Sequence, residues 1–137
     1  MINLNEGYTP EEKPFIFSSG QIVSHLSYGY RGLIVDSDSI CQAPEAWYQS
    51  NATQPEKIQP WYHVLVDGTH EVTYVAQSNL ELDHSGAPVV HPMLNLFFSG
   101  LDEMENRYLR NDVPWKPGQP PDAPPPLPPP GSPPSEP

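Results

Sequence analysis

Residues 59–70, Gln-Pro-Trp-Tyr-His-Val-Leu-Val-Asp-Gly-Thr-His, carry the pattern that decides the fold. Trp61 to Val66 is a run of aromatic and β-branched side chains, which is typical of a β-strand. Asp67-Gly68 is a dipeptide that favours a tight hairpin turn, and Val72–Ala76 supplies a second run of strand-forming residues. The stretch therefore predicts a β-hairpin.

Both faces of this predicted hairpin are largely apolar. Whether the turn holds two or four residues, Trp61 and His63 share one face with Tyr74, and Tyr62 shares the other with Val75. A strand pair with two apolar faces suits a sheet that curls into a closed barrel and is covered on its outside by another segment. The pattern predicts such a barrel.

Strand signals also lie on either side of the hairpin. Residues 20–26 and 30–36 read as an antiparallel pair joined at Gly29, and Asn79–Leu82 reads as a short fifth strand. The fold class expected is therefore all-β, a small SH3-like antiparallel β-barrel of about five strands. Residues 104–111 are expected to return along the barrel as an edge.

Two segments have helical signals. Residues 44–49 can form a turn or two of helix that begins at proline, within a long connection that we expect to be a variable surface. Residues 91–101 have apolar side chains at helical spacing, with Pro92 near the start and Gly100 near the end. This second segment is predicted to be one short helix that covers the sheet.

The proline content divides the chain. Of the 20 prolines among 137 residues, thirteen lie from position 114 onward. We expect an N-terminal arm (1–14), one barrel domain of roughly 100 residues (15–113) and a disordered, proline-rich tail (114–137) in the polyproline II conformation. The tail segment 124–130, Pro-Pro-Pro-Leu-Pro-Pro-Pro, is either a ligand for an aromatic groove or a plain spacer.

The charge of the chain bears on its partners. The formal net charge is −11, and from 15 to 113 four Lys or Arg residues oppose twelve Asp or Glu residues. Because phosphate contacts require several cationic side chains, this ratio disfavours nucleic acid as a partner. Only Arg31 and the pair Arg107 and Arg110 could form a local basic patch.

Cysteine content and hydropathy indicate the compartment. The single cysteine, Cys41, cannot form an internal disulfide, and the acidic N-terminus does not resemble a signal peptide. No stretch reaches the roughly 20 apolar residues of a membrane span. We expect a cytoplasmic protein with no membrane association.

Residue types that carry chemistry occur without the arrangement that chemistry needs. Asp36 and Asp38 follow a predicted strand in a polar loop, where carboxylates usually stay solvated. Cys41 has no neighbour that would favour its thiolate. His25 and His63 could meet in space with Asp36, but the histidines are scattered along the chain, so we expect neither metal nor cofactor and no catalytic residues.

Several ordered blocks of the chain resemble the YccV-like family, which includes the bacterial heat-shock protein HspQ. The blocks are Gly20-Gln-x-Val-x-His25, Tyr28-Gly-Tyr-Arg-Gly-x-Ile-Val-Asp36, Pro60-Trp-Tyr-His-Val-Leu-Val66 and Thr73-Tyr-Val-Ala-Gln-x-Asn-Leu80. They cover residues 18 to 82. The segment from 91 to 111 is similar to extended versions of the domain, and the proline-rich tail has no counterpart in the resemblance.

The resemblance implies an SH3-like barrel without catalytic residues and two competing functions. One is a protein-interaction module, an adaptor or specificity factor linked to regulated proteolysis or stress response, whose partner is an ATP-dependent protease or its substrate. The alternative is a domain that recognises hemimethylated duplex DNA. The acidic charge favours the first, and a homo-oligomer stays open. The partner-binding residues expected are Tyr28, Tyr30, Arg31, Trp61, Tyr62, His63 and Tyr74.

Overall fold

A computed structural model describes residues 13–51 and 54–115 of the chain. The expected arm (1–14) and proline-rich tail (114–137) therefore lie outside the described residues, apart from two residues of each. Trp115, at the start of the expected tail, packs against the domain with its ring centroid 5.3 Å from that of Phe97.

The described residues contain seven β-strands, two short α-helices and a 3₁₀ turn. No helix in this part of the chain is both long enough and apolar enough to cross a membrane. In chain order the elements are β1 (Ile22–His25), β2 (Arg31–Asp38), α1 (Glu45–Gln49), β3 (Trp61–Val66), β4 (Val72–Ala76), the 3₁₀ turn (Gln77–Asn79), β5 (Leu80–Leu82), α2 (Leu94–Phe97), β6 (Phe98–Asp102) and β7 (Arg107–Arg110).

The strands form two antiparallel sheets. The larger has the order β4-β3-β2-β1-β5, and the smaller is the two-stranded ribbon β6-β7. A single bridge between Gln21 and Arg107 joins the ribbon to the segment that precedes β1. The hairpin of β3 and β4 is confirmed, and so is the expected sharing of faces, since His63 pairs with Tyr74 and Tyr62 with Val75.

The pairing confirms an all-β fold, but among the described residues the sheets do not close into the expected barrel. The two edge strands of the larger sheet, β4 and β5, are consecutive in the chain and are not hydrogen bonded to each other. The 3₁₀ turn between them carries the chain from one edge of the sheet to the other.

Both faces of the larger sheet are buried. On one face, β4 and β5 contribute to the same cluster although they lie at opposite edges, which shows that the sheet is curled around it. This inner core consists of Phe17, Val23, Ile34, Tyr62, Val64, Val75 and Leu80.

Two further clusters cover the outer face. The ribbon and α2 pack on one half of it, through Ile22, Leu33, Val35, Leu65, Val89, Phe97, Phe98 and Tyr108. The connection that contains α1 packs on the other half, and its aromatic core consists of Trp47, Tyr48, Trp61, Tyr74 and Ala76. The outer cover expected from the sequence is thus present, but two separate segments supply it.

Gly32 in β2 marks a close approach between strands. A Cβ atom at this position would lie 2.4 Å from Val64 Cγ1 and 2.7 Å from the carbonyl oxygen of Leu65. Real Cβ atoms do not come so close to a backbone oxygen, so only glycine fits. The residue allows the β2-β3 pair to bend tightly around the inner core.

The expectation of one helix over residues 91–101 is wrong. Only Leu94–Phe97 is helical, and Phe98 begins β6 with φ −131° and ψ 142°. Phe98 pairs with Arg110 of β7, whose guanidinium lies over the rings of Phe97 and Phe98. Long-range pairing with β7 therefore overrides the local helical spacing.

Candidate functional site

The hairpin tip between β1 and β2 is built around the His25 ring. Its Nδ1 accepts hydrogen bonds from the backbone N–H groups of Ser27 and Tyr28, both at 3.1 Å. Gly29 adopts φ 78° and donates its N–H to the His25 carbonyl at 2.8 Å. Such a conformation favours glycine, so sequence and geometry agree on a rigid tip.

Two tyrosine rings flank this imidazole. The Tyr28 centroid lies 4.6 Å and the Tyr30 centroid 5.2 Å from that of His25. The Tyr30 hydroxyl also donates to Thr73 Oγ1 at 3.0 Å, which ties the tip to β4. Tyr30 is thus half-buried in the structure, whereas Tyr28 is exposed at the surface.

Arg31 acts as a clamp between the β3-β4 turn and the loop after β5. Its guanidinium donates to Asp67 Oδ2 at 2.7 Å and to the carbonyl oxygen of Ala87 at 2.5 Å, and its Nε lies 3.2 Å from Asp83 Oδ2. Asp67 also accepts the N–H of Val90 at 2.7 Å. These contacts join residues 83–90 to the body of the domain. They also neutralise the positive charge of Arg31 with two carboxylates.

An exposed apolar surface lies around the 3₁₀ turn, next to the hairpin tip. The N–H of Ile16 donates to Gln77 Oε1 at 3.0 Å, and the N–H of Leu26 donates to the Asn79 carbonyl at 2.8 Å. Two chain segments with exposed apolar side chains therefore flank one short turn. We call this the tip surface; it comprises Phe15 (48% exposed), Ile16 (61%), Leu26 (54%) and Tyr28 (38%).

Tyr62 and Gln77 hold the first of these segments in place. Gln77 donates its amide N–H to the Pro14 carbonyl at 3.1 Å, and Tyr62 donates its hydroxyl proton to Gln77 Oε1 at 2.5 Å. Phe17 then packs its ring edge-on to Tyr62, at 5.6 Å between centroids. Burial raises the pKa of Tyr62, so its hydroxyl stays a neutral donor beneath the tip surface.

On the opposite face of the sheet, Tyr74 and His63 both contact the carboxylate of Asp38 beside the aromatic core. Tyr74 donates its hydroxyl proton to Asp38 Oδ2 at 2.6 Å, and His63 Nε2 lies 3.5 Å from the same oxygen. Burial, which raises the pKa of Asp38, is outweighed by hydrogen bonds from His63 and Tyr74, so the net pKa is lowered. Burial and the hydrogen bond to Asp38 both raise the pKa of Tyr74.

The geometry also tests the suggestion that two histidines meet. His25 lies on the sheet face of Val23 and the inner core, whereas His63 lies on the face of Trp61 and the aromatic core. The two imidazoles therefore lie on opposite faces of one sheet and cannot share a ligand. Within residues 13–51 and 54–115, no three His, Cys, Asp or Glu side chains are placed to hold a metal ion.

The cationic side chains of the described residues are all engaged. Lys13 pairs with Glu56, Lys57 pairs with Glu45, and Arg31 is clamped as described above. Arg107 donates to the Ser19 carbonyl at 2.9 Å, and Arg110 donates to the carbonyl oxygens of Val35 at 3.0 Å and Val113 at 2.8 Å. Arg31 lies on β2, and Arg107 and Arg110 lie together on β7. The three residues that could have formed a local basic patch are therefore each bonded within this part of the chain.

The seven expected partner-binding residues divide by burial. Trp61, Tyr62 and Tyr74 are buried, Tyr30, Arg31 and His63 are half-buried, and Tyr28 is exposed. Only Tyr28 therefore offers a large surface directly, while Tyr30 and Tyr62 support the tip surface from below. Sequence reasoning missed Phe15, Ile16 and Leu26, because the local sequence around an apolar side chain carries no signal that distinguishes exposure from burial.

The sequence of this β-domain is similar to that of a known protein family and of several known proteins. Residues 15–105 match a family model described as YccV-like, hemimethylated DNA-binding protein YccV like. F-box only protein 21 of Homo sapiens and of Pongo abelii is 33% identical over 87 residues, and that of Mus musculus is 32% identical. Each alignment covers 61% of this chain but only 14% of the relative's length.

Proposed function

We propose, since this chain belongs to the YccV-like family, that it is a non-catalytic binding module whose partner is a polypeptide. In this proposal the tip surface is the contact site. Tyr28, Ile16 and Leu26 contact the partner, and the clamped and buried residues beneath keep the surface rigid. We further propose that the curled sheet and its 3₁₀ turn are of the SH3-like kind, acting in the cytoplasm.

The observation that carries this proposal is the placement of charge and apolar surface. Every lysine and arginine of the described residues has a carboxylate or a neutral oxygen partner in the domain itself. Binding of a phosphate backbone would require several of these contacts to be given up. The tip surface, by contrast, has side chains of the type that protein interfaces use, including the aromatic residues Phe15 and Tyr28.

The relatives favour an adaptor role. This region forms a minor part of each F-box only protein 21 that it matches, which suits a recognition module attached to other parts. The family resemblance implies adaptors or specificity factors that help ATP-dependent proteases or ubiquitin ligases select substrates. We therefore propose that the module links a partner to regulated proteolysis or stress response.

The description of the family favours a second candidate, recognition of hemimethylated duplex DNA. In the described residues, only Arg107 and Arg110 lack a carboxylate partner, and both bond to neutral oxygens. A duplex would have to bind mainly through them, against the repulsion of a formal net charge of −11. This arrangement makes DNA the weaker of the two candidates.

Fluorescence anisotropy with labelled duplexes separates the two candidates. We expect the full chain to show no difference between hemimethylated and unmethylated duplex, and any retention at low salt to vanish at physiological salt. Methylation-dependent binding that persists at physiological salt, and that is lost on substitution of Arg107 and Arg110 by glutamine, would overturn the protein-binding proposal.

Partner capture tests the tip surface directly. The full chain, crosslinked in its native cells, is compared with a Leu26→Ala/Tyr28→Ala variant and with the control Leu109→Ala, which removes an exposed apolar side chain of β7. We expect recovery of a protease or ligase component to fall in the first variant and to persist in the control. Equal recovery from all three would remove the tip surface from the site.

A further inference from the structure

β5 is an edge strand, and its outward-facing residues are Leu80, whose N–H donates to the Gln77 carbonyl, and Leu82. The N–H of Leu26 donates to the Asn79 carbonyl, and the N–H of Asp83 donates to the Ile22 carbonyl. Since antiparallel pairing alternates, residues 79, 81 and 83 face β1, and Leu82 directs its N–H and C=O away from the sheet. Leu82 is also 37% exposed and lies at the sheet edge, so a further strand can reach these groups.

The opposite edge of the same sheet offers no such site. By the same alternation, Val72, Tyr74 and Ala76 of β4 face outward. Val72 is partly buried against the cluster under the ribbon, and Tyr74 and Ala76 are only 3% and 0% exposed. The connection that carries α1 covers them, and the N–H of Gln42 donates to the Tyr74 hydroxyl at 3.0 Å. Within the larger sheet of the described residues, Leu82 of β5 is therefore the outward-facing residue with the greatest exposure.

The β6-β7 turn lies next to the C-terminal end of the β5 edge. The β6-β7 turn is held there by Asn106, which donates its amide N–H to the Asp83 carbonyl at 3.4 Å. Asp102 Oδ1 accepts the N–H of Met104 at 3.1 Å, which shapes the turn. Met104 is 94% exposed, so the turn presents a long apolar side chain to solvent near the end of the edge strand.

Three exposed carboxylates lie along this track. Glu81 of β5 and the two neighbours of Met104, Glu103 and Glu105, are exposed carboxylates. Within the described residues none of the three has a Lys, Arg or His partner. A segment lying along β5 would thus meet exposed apolar side chains at Leu82 and Met104 between unpaired negative charges.

We infer that the β5 edge binds an extended, positively charged segment of the partner polypeptide as an added strand. Leu82 supplies the backbone donor and acceptor for the ladder, Met104 supplies an adaptable apolar contact, and Glu81, Glu103 and Glu105 select lysine or arginine. This inference rests on the proposed protein-binding function and names the chemistry of the partner. The edge begins directly after the 3₁₀ turn, so it continues the tip surface.

A proline at position 82 tests the backbone contact. Leu82→Pro removes the outward N–H while leaving the groups of residues 81 and 83 free to pair with β1. The matched control is Leu82→Ala, which removes the side chain but keeps the N–H. The probe is an array of degenerate ten-residue peptides, and we expect the full chain to retain those in which Lys or Arg alternates with Val or Ile.

One retained peptide is then measured in solution by fluorescence anisotropy. We expect Leu82→Pro to weaken its binding about tenfold, the effect of one lost hydrogen bond, and Leu82→Ala to weaken it less. A Glu81→Gln/Glu103→Gln/Glu105→Gln variant should bind more weakly at low salt and show a smaller dependence on salt. A peptide N-methylated at alternate residues, with charge and side chains unchanged, should lose binding to the unmodified protein.

The outcomes separate this inference from the proposed function. Equal binding of the methylated and plain peptides, or retention of peptides without positive charge, would overturn the edge inference even if Leu82→Pro failed to fold. If crosslinking still recovers a protein partner, the proposed function survives that result. If the array retains no peptide, the edge inference is also refuted, and the proposed function is not. Methylation-dependent DNA binding would refute the proposed function itself.

Discussion

Replacement of Arg31 should destabilise the fold, because its guanidinium joins two parts of the chain. The side chain is 21% exposed, and its partners Asp67 and Asp83 are 24% and 11% exposed. A buried hydrogen bond to a charged group contributes about 1.5–3 kcal/mol to stability. Partial exposure, and the side-chain entropy that the arginine loses on folding, reduce the summed contribution of the Arg31 contacts. We therefore expect Arg31→Ala to lower the free energy of unfolding by about 3 kcal/mol.

A lysine at this position separates charge from geometry. Arg31→Lys keeps the positive charge but cannot contact Asp67, Asp83 and the Ala87 carbonyl together, because lysine lacks the planar guanidinium. We expect a loss of about 1.5 kcal/mol, between wild type and alanine. In a double-mutant cycle with Asp67→Asn, the coupling energy should reach about 1 kcal/mol or more.

Urea unfolding followed by tryptophan fluorescence measures these values. Hydrogen exchange supplies a local readout, since protection at the amides of Gly68 and Val90 should fall when the clamp is lost. These amides bond across the same junction, at 2.8 Å to the Val90 carbonyl and 2.7 Å to Asp67 Oδ1. A loss below about 0.5 kcal/mol in Arg31→Ala, the usual range for a plain surface site, would refute the clamp and return Arg31 to the candidate contacts.

Three further substitutions test the core and its polar groups. Gly32→Ala should lower the free energy of unfolding by about 3 kcal/mol or prevent folding, because its Cβ would lie 2.4 Å from a carbon of the next strand. A thermal melt measures this, and an unchanged melting temperature would contradict the close approach. Tyr74→Phe should lower stability by about 2 kcal/mol at pH 7. It should also raise the pKa of Asp38, measured by NMR titration, since that carboxylate loses a hydrogen bond; an unchanged pKa would show that this bond does not act on Asp38. Burial lowers the pKa of His91 below its ordinary value of about 6.5. The unfolded chain therefore binds the proton first, and stability should fall as pH drops below about 6.5. The Met93 N–H donates to His91 Nδ1 at 3.1 Å, and His91→Asn keeps an acceptor for it but does not titrate. The urea midpoints of variant and wild type should therefore converge at acid pH. Parallel pH profiles would exclude a contribution of His91 to the pH dependence of stability.

Much of the larger sheet follows from local sequence pattern. The alternation in residues 61–66 and 72–76 sets the side-chain parity in any register, and the structure confirms it with His63 opposite Tyr74. Gly29 likewise predicts the tight connection between β1 and β2, because its positive φ favours glycine. The family blocks of the sequence fall on these same strands.

Long-range contacts decided the rest. Residues 98–102 have apolar side chains at helical spacing, yet they form a strand because β7 offers backbone partners and Arg110 covers the aromatic rings. Both Trp61 and Tyr62 are buried since different segments cover the two faces of β3, and no property of β3 itself specifies those covers. Local propensity acts over a few residues, whereas burial depends on which distant segment folds back.

The sequence by itself determined the strands of the larger sheet, their side-chain parity and an acidic domain poor in cations. Only the tertiary structure decided that Arg31 is held by carboxylates, that Phe15, Ile16 and Leu26 stay exposed beside Tyr28, and that β5 remains an open edge. The physical reason is that exposure and ion pairing are properties of neighbours in space, and those neighbours come from segments that are distant in the chain.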